Sequence, residues 1–216
     1  IDEAVEEGIP VVTILNDAPT TKRSSYVGIN SYQLGQEYGY EIMNLLADDE
    51  KEVRITVLLR NNSIDSNQSQ IFNQINNLMV TSEELGGRVK VEEIKIASER
   101  AFESEEIVWK LFQNEKEQPD IIVCLDEVDT ETVYQALIDY NQVGRTQIIG
   151  FYTSDTAMEA VKKGTMSKTL SIDADEMGRY SVQAMTECIR DGRTNSFYSV
   201  ELQFISKENV FQFIGK

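Results

Sequence analysis

The chain has 216 residues, 41% apolar and 26% charged, with two cysteines, three prolines and no histidine, a composition that suits one large globular domain or two small lobes. Without histidine it cannot build a Ser-His-Asp or Cys-His nucleophile, a histidine metal site or a histidine pH switch, which excludes the usual hydrolases and zinc enzymes. Its 37 acidic against 20 basic residues give a net charge of −17, which repels nucleic-acid phosphates and anionic membrane surfaces.

Strand and helix periods alternate along the chain. Pro10–Leu15 is a continuous, mostly β-branched run that predicts a strand buried on both faces. A helix over 31–47 follows, with Leu34, Tyr38, Ile42 and Leu45 on one stripe, and then a buried strand over Val53–Leu59. Ile71, Ile75, Leu78 and Met79 mark a helix over 67–84, closed by Gly86-Gly87. Strands are predicted at 89–96 and 121–125, flanking a helix over 103–114 that carries Ile107, Val108, Leu111 and Phe112 inward. Val133, Ala136, Leu137 and Tyr140 line the next helix; a strand at 148–151, a helix at 154–163 and a strand at 167–172 follow. The last helix, 174–190, turns Met177, Ser181, Ala184, Met185 and Cys188 to the core, and Tyr198–Ile205 alternates as one terminal strand.

Such alternation predicts an α/β fold with mostly parallel, Rossmann-like sheets covered on both faces. Ligands of such sheets sit at the carboxyl ends of the strands, near a topological switch point. The residues just past the strands are therefore the candidates: Asn16 and Asp17, Asn61 and Asn62, Asp126 and Glu127, Tyr152 and Thr153, Ile172 and Asp173. No Gly-x-Gly-x-x-Gly follows a strand and no phosphate-binding Gly-Lys loop is present, so nucleotide binding has no support. Gly35 and Gly39 lie inside a helix, where they allow close packing. Asp126-Glu127-x-Asp129 opens a helix; the pattern assigns capping to Asp129 and a ligand-facing role to Asp126, with a metal- or hydroxyl-binding cluster as the alternative. Capping accounts for Asp173 or Asp175, and Gln68, at a helix start, is either merely exposed or aimed into a cleft. Cys124 and Cys188 have no metal-ligand spacing and read as free thiols.

Several spaced motifs together resemble the type I periplasmic sugar-binding proteins, whose ligand-binding fold the lac-repressor-like regulators share. They are Gly8-Ile9-Pro10-Val11-Val12-Thr13, Asp17-Ala18-Pro19, Tyr26-Val27-Gly28-x-Asn30, Pro119-Asp120-Ile121-Ile122-Val123, Ile149-Gly150-Phe151 and Met177-Gly178. The resemblance implies a two-lobed type I periplasmic-binding-protein fold with three hinge crossings. The first lobe would comprise 1–30 plus 173–200 and the second 31–172 plus 201–216. It also implies that the first lobe is incomplete, because Ile1-Asp2-Glu3-Ala4-Val5 looks like mid-helix and the family's opening strand–helix units are not in the sequence. The strand at 10–15 would then have an unpaired edge. The expected result is weak ligand affinity and a homodimer through that edge, or else a poorly ordered first lobe.

The function implied is a non-enzymatic, extracytoplasmic solute-binding protein, periplasmic or a cell-surface lipoprotein. It would carry a sugar or similar small polar ligand to an ABC transporter permease, without cofactor or metal. The alternatives are the sensing module of a membrane histidine kinase system and the effector domain of a lac-repressor-like regulator. The ligand residues implied are Asn16, Asp17, Gln68, Asp126, Tyr152 and Asp173. Several depart from the family's habit: Leu15 and Asn16 replace an Asp-Arg pair, Gln68 an arginine, Asp126 an asparagine, Tyr152 an aspartate and Ile172 a polar residue. Since glutamine cannot imitate a planar guanidinium fork, the frame is kept while the pocket chemistry differs.

Overall fold

A computed structural model describes residues 1–46, 51–60, 66–85, 87–96, 101–114 and 117–213; Asn61, Asn62 and Gly86, singled out above, lie outside the described residues. The helices are α1 (Asp2–Glu6), α2 (Ser31–Leu46), α3 (Ser66–Thr81), α4 (Ala101–Gln113), α5 (Glu127–Asp139), α6 (Asp155–Lys163) and α7 (Ala174–Asp191). The strands are β1 (Val12–Ile14), β2 (Ser25–Gly28), β3 (Val53–Arg60), β4 (Val89–Ile96), β5 (Ile121–Cys124), β6 (Gln147–Ile149), β7 (Lys168–Ile172), β8 (Phe197–Ser199) and β9 (Leu202–Ser206). Two compact units result, Ile1–Leu34 with Ile172–Leu202 and Gly35–Ser171 with Gln203–Lys216, so the chain passes between them three times.

The first unit holds a three-stranded parallel sheet in the order β1-β2-β8. Helix α7 packs on β1 and β2. Asp173 starts that helix by accepting from the Glu176 N–H (2.8 Å), and Gly192 ends it at φ 68°, a left-handed value that only glycine takes freely. Of the residues expected to face the core on α7, Ala184 alone is fully buried; Met177, Ser181, Met185 and Cys188 are half-buried.

The second unit is built on a six-stranded sheet in the order β4-β3-β5-β6-β7-β9. The pairings from β4 through β7 are parallel. Strands β3 and β5 lie inside the sheet; β5 is an apolar run that is wholly buried, and β3 is buried from Ile55 to Leu59, with Arg54 exposed and Arg60 half-buried at its ends. Tyr38, Ile42 and Leu46 of α2 and Ile71, Ile75 and Met79 of α3 are buried, so the α2 stripe closes on Leu46 rather than Leu45. Gly35 and Gly39 let these two helices meet: a Cβ at Gly35 would lie 2.6 Å from the Gln74 Cβ, and one at Gly39 would lie 2.5 Å from the Leu78 Cδ1. Val108 and Phe112 of α4, Val133 and Leu137 of α5, and Ala157, Ala160 and Val161 of α6 form a separate core with Leu58, Ile122 and Ile148.

Two expectations are corrected here. The strand expected over Pro10–Leu15 is shorter, Val12–Ile14, and is not buried on both faces: Val12 and Thr13 are half-buried and Ile14 is exposed. Tyr198–Ile205 is not one strand but two, β8 and β9, which join different sheets with Val200 and Glu201 between them. The alternation runs on through both because Tyr198 is buried between the exposed Phe197 and Ser199, while Leu202 and Phe204 are half-buried about the exposed Gln203. The backbone leaves the first sheet where the Val200 N–H donates to the Gly28 carbonyl (2.9 Å) and the Asp173 N–H donates to the Glu201 carbonyl (3.1 Å).

Candidate functional site

The chain reverses its winding direction between β3 and β5. From β3 it moves outward through α3 to β4, then crosses back through α4 to β5 on the other side of β3. The carboxyl ends of β3 and β5 therefore flank the topological switch point, where α/β sheets form their ligand crevice.

Arg60 ends β3 at that point. Its Nε and Nη2 reach Asp129 Oδ2 and Oδ1 (3.0 and 2.6 Å), and Nη2 also reaches Asp126 Oδ1 (3.2 Å). Gln68 spans the same crevice: its Oε1 accepts from the Arg60 N–H (2.7 Å) and its Nε2 donates to the Leu125 carbonyl (3.4 Å). Two strand ends are thus tied by one glutamine and one guanidinium. The side chain of Asp129 is 1% exposed, that of Arg60 11% and that of Asp126 36%, so the cluster opens to solvent on the Asp126 side.

The capping role expected of Asp129 belongs to Asp126. Asp126, not Asp129, is the N-cap of α5, accepting from the Val128 and Asp129 N–H groups (2.9 and 3.3 Å). Asp129 lies within the first turn and turns inward to Arg60, a partner 69 residues earlier that local spacing does not announce. Burial, together with the charge of Asp126, pushes the Asp129 carboxyl up to about 6 against the opposing pull of Arg60. Burial likewise raises the Cys124 thiol well above its ordinary value, as do the Asp129 and Asp126 charges, so this cysteine stays protonated and unreactive.

Tyr152 follows β6, the strand next to β5, at φ 73°. A bulky side chain in this left-handed region costs roughly 1–2 kcal/mol. Hydroxyls on both sides of the loop hold it there. The Thr169 hydroxyl donates to the Tyr152 carbonyl (2.6 Å), and the Phe151 N–H donates to the Thr130 hydroxyl (2.9 Å), which itself donates to the Asp126 carbonyl (2.8 Å). Gly150 permits the approach, since a Cβ there would stand 2.6 Å from the Thr130 Cγ2. Beneath these strand ends lies the buried Tyr38, whose hydroxyl is shared between the Cys124 and Gly150 carbonyls (3.3 and 3.4 Å).

Gln68, Asp126 and Tyr152 thus share one edge of the six-stranded sheet. Asn16, Asp17 and Asp173 belong to the first unit. Asn16 is exposed in the turn after β1, its N–H donating to the Ile14 carbonyl (2.7 Å). The Asp17 carboxylate is engaged by its own turn, by Arg23 (Nη2–Oδ2 2.7 Å) and the Ala18 N–H (2.7 Å). Before both comes Leu15 at φ 64°, its carbonyl accepting from the Tyr26 hydroxyl (2.8 Å). Asp173 is exposed and caps α7. Arg60, Thr130 and Thr169 went unnoticed in the sequence. A charged residue directly after the apolar run Val57-Leu58-Leu59, at a switch point, was the available signal for the first.

Among the described residues, no group of His, Cys, Asp or Glu is arranged to hold a metal ion, and no helix is long and apolar enough to cross a membrane. What the second-unit cluster offers is hydrogen bonding: carboxylate acceptors, guanidinium and amide donors, and an aromatic ring.

No curated protein matches the chain. Three similar solved structures are GanP, a glucose-galactose binding protein from Geobacillus stearothermophilus (TM-score 0.83, 23% identity, 97% of this chain and 71% of that one), a sugar ABC transporter sugar-binding protein from Bacillus halodurans (0.82, 20%, 99% and 74%) and the XylFII-LytSN complex (0.78, 23%, 96% and 71%). At these identities the likeness establishes the fold, which is that of the type I periplasmic sugar-binding proteins. The family description "Periplasmic binding protein domain" matches residues 1–194, and the chain belongs to that family.

Proposed function

We propose that the protein is a non-enzymatic, extracytoplasmic solute-binding protein that takes a sugar or similar small polar ligand for an ABC importer. The observation that carries this reading is the Arg60–Gln68–Asp126 cluster, set at the switch point between β3 and β5 with Asp126 open to solvent. Its donors and acceptors suit hydroxyl groups. They do not suit bond breaking, because Asp126 is committed to a helix cap and Asp129 to Arg60, and Cys124 is buried as a thiol. The sugar-binding names of GanP and the Bacillus halodurans protein support the ligand class. The first unit contributes Asn16, Asp17 and Asp173 in this reading.

Likeness to XylFII, solved in complex with LytSN, favours a second reading in which ligand occupancy is reported to a membrane sensor rather than to a permease. The reading also includes a homodimer through β1. That strand is the outer member of its sheet, with Ile9 and Ile14 exposed beside it. Because each copy carries −17, added salt is expected to promote the association, which light scattering would detect.

The test is a thermal-shift screen of neutral sugars and polyols, with product analysis of each hit. A ligand at 100 times its Kd adds about 2.7 kcal/mol of stability. A shift with the sugar recovered unchanged is expected. A sugar consumed, or no shift from any of them, would overturn the proposal.

A further inference from the structure

Helix α7 covers one face of the three-stranded sheet of the first unit. Ile14, Val27 and Tyr198 are register partners across β1, β2 and β8, so their side chains share one face of that sheet. Tyr198 meets α7 through the Tyr180 ring (5.4 Å between centroids) and through Glu187, which accepts from its hydroxyl (2.7 Å). Val27 is fully buried, whereas Ile14, at the β1 end of the row, is 48% exposed. The helix therefore leaves the β1 side of its own sheet uncovered.

The sequence of α7 leaves the same side apolar. Successive residues turn by about 100° around a helix. Counted from the buried Ala184, Tyr180 and Glu187 fall on the β8 side, as do the polar Arg179, Gln183 and Arg190. Gly178, Val182, Met185 and Ile189 fall on the opposite, β1 side. Val182 is 69% exposed and Ile189 73%. At Gly178 a Cβ would meet no atom within 4 Å. Such a row, on a helix that already buries another stripe, is a second contact surface.

The row is complementary to itself. Laid antiparallel on a second copy, Ile189 of one helix enters the open space at Gly178 of the other, and Val182 meets Met185. The same arrangement sets Asp175, in the first turn, beside Arg193, just past the Gly192 cap of the other copy. Both are exposed, and neither has an ion pair within its own chain among the described residues. Parallel helices would instead bring each charge against its like. The spacing agrees as well. Helix α7 packs equally on β1 and β2, which sets it over the gap between them. Antiparallel pairing of two β1 edges, with strands about 4.8 Å apart, then places the two helices about 9.6 Å from each other, inside the range of about 8–10 Å at which helices pack. Since β1 is only three residues long, its edge offers few hydrogen bonds and the helices supply most of the contact.

We propose that α7 and the open side of β1 form one interface for a second copy of this chain, in which the two α7 helices pack antiparallel about a two-fold axis. This deepens the homodimer reading and rests on it, and it is independent of what the second unit binds.

The experiment is sedimentation equilibrium of the 216-residue protein over a concentration series at physiological ionic strength. A reversible dimer is expected. Val182→Asp and Ile189→Asp should each weaken it by about a hundredfold or more. Both should leave the urea midpoint of the dilute, dissociated protein nearly unchanged, because both side chains already lie in solvent. Asp175→Arg should weaken the dimer by about threefold to tenfold, and adding Arg193→Asp should restore it to within about twofold of wild type. A dimer that Val182→Asp and Ile189→Asp leave intact would overturn this inference while pairing through β1 stands. A charge-swapped double variant no tighter than Asp175→Arg alone would overturn the antiparallel arrangement. A wild type that stays monomeric throughout, its α7 face left to a different chain, would overturn the homodimer reading and this inference together.

Discussion

Replacing Asp129 by asparagine should change how stability depends on pH by an amount the structure fixes. An unfolded aspartate titrates near 3.9, whereas burial holds the native carboxyl at about 6. Because the native value is the higher one, the folded chain binds more protons than the unfolded chain between these values. This group's contribution therefore falls as pH rises through that window. The full difference of about 2 units corresponds to about 3 kcal/mol, of which about 2 kcal/mol develops between about pH 4 and about pH 7. Asparagine keeps the shape and an acceptor for Arg60 but has no proton to release. Urea denaturation of both proteins across that range should show the wild type losing about 2 kcal/mol relative to Asp129→Asn as pH rises. The comparison cancels every other titrating group that the substitution does not touch. Parallel stability profiles would mean that Asp129 titrates normally and is not the buried partner of Arg60.

Two further substitutions test other parts of the structure. Gly150→Ala places a Cβ 2.6 Å from the Thr130 Cγ2 and 3.1 Å from the Met166 Sδ, and should cost about 1–3 kcal/mol in a urea melt, as overpacking does. In the first unit, Glu187 accepts from Thr194, Tyr198 and Gln183 (2.7, 2.7 and 2.9 Å), which lowers its carboxyl to about 2. A depressed carboxylate stabilises above its unfolded value and loses that contribution as pH falls towards about 2. Glu187→Gln should therefore be less stable than wild type at neutral pH, with the gap closing in acid melts.

The alternation of elements was legible because most of them are periodic or uniformly apolar. The stretches 55–59 and 121–124 are buried on both faces, and the α3 residues Ile71, Ile75 and Met79 repeat on one stripe. The break between β8 and β9 was not legible in the periodicity, because Val200-Glu201 carries no glycine or proline and the alternation continues across it; only the family resemblance put a lobe boundary between 200 and 201. In the site, strand ends pointed to Asp126 and Tyr152 through topology alone. That Asp126 and not Asp129 caps α5 could not be read, since both suit a helix start and only Arg60, distant in sequence, decides which one turns inward. The left-handed backbone of Leu15 and Tyr152 left no trace either, because neither side chain favours it. It is imposed on Tyr152 by the threonines at 130 and 169 and accompanied at Leu15 by the Tyr26 hydroxyl.

The central claim is that the cluster at the switch point of the six-stranded sheet receives a neutral polyhydroxylated ligand. The most direct measurement is an amide chemical-shift titration of isotopically labelled protein with the tightest-binding sugar of the screen. The account predicts saturable shifts at Arg60, Gln68, Asp126 through Thr130, and Phe151 through Thr153, reversed when the sugar is dialysed away. Saturable binding that leaves those amides unmoved and shifts others in the same unit, or no binding by any sugar, would contradict it.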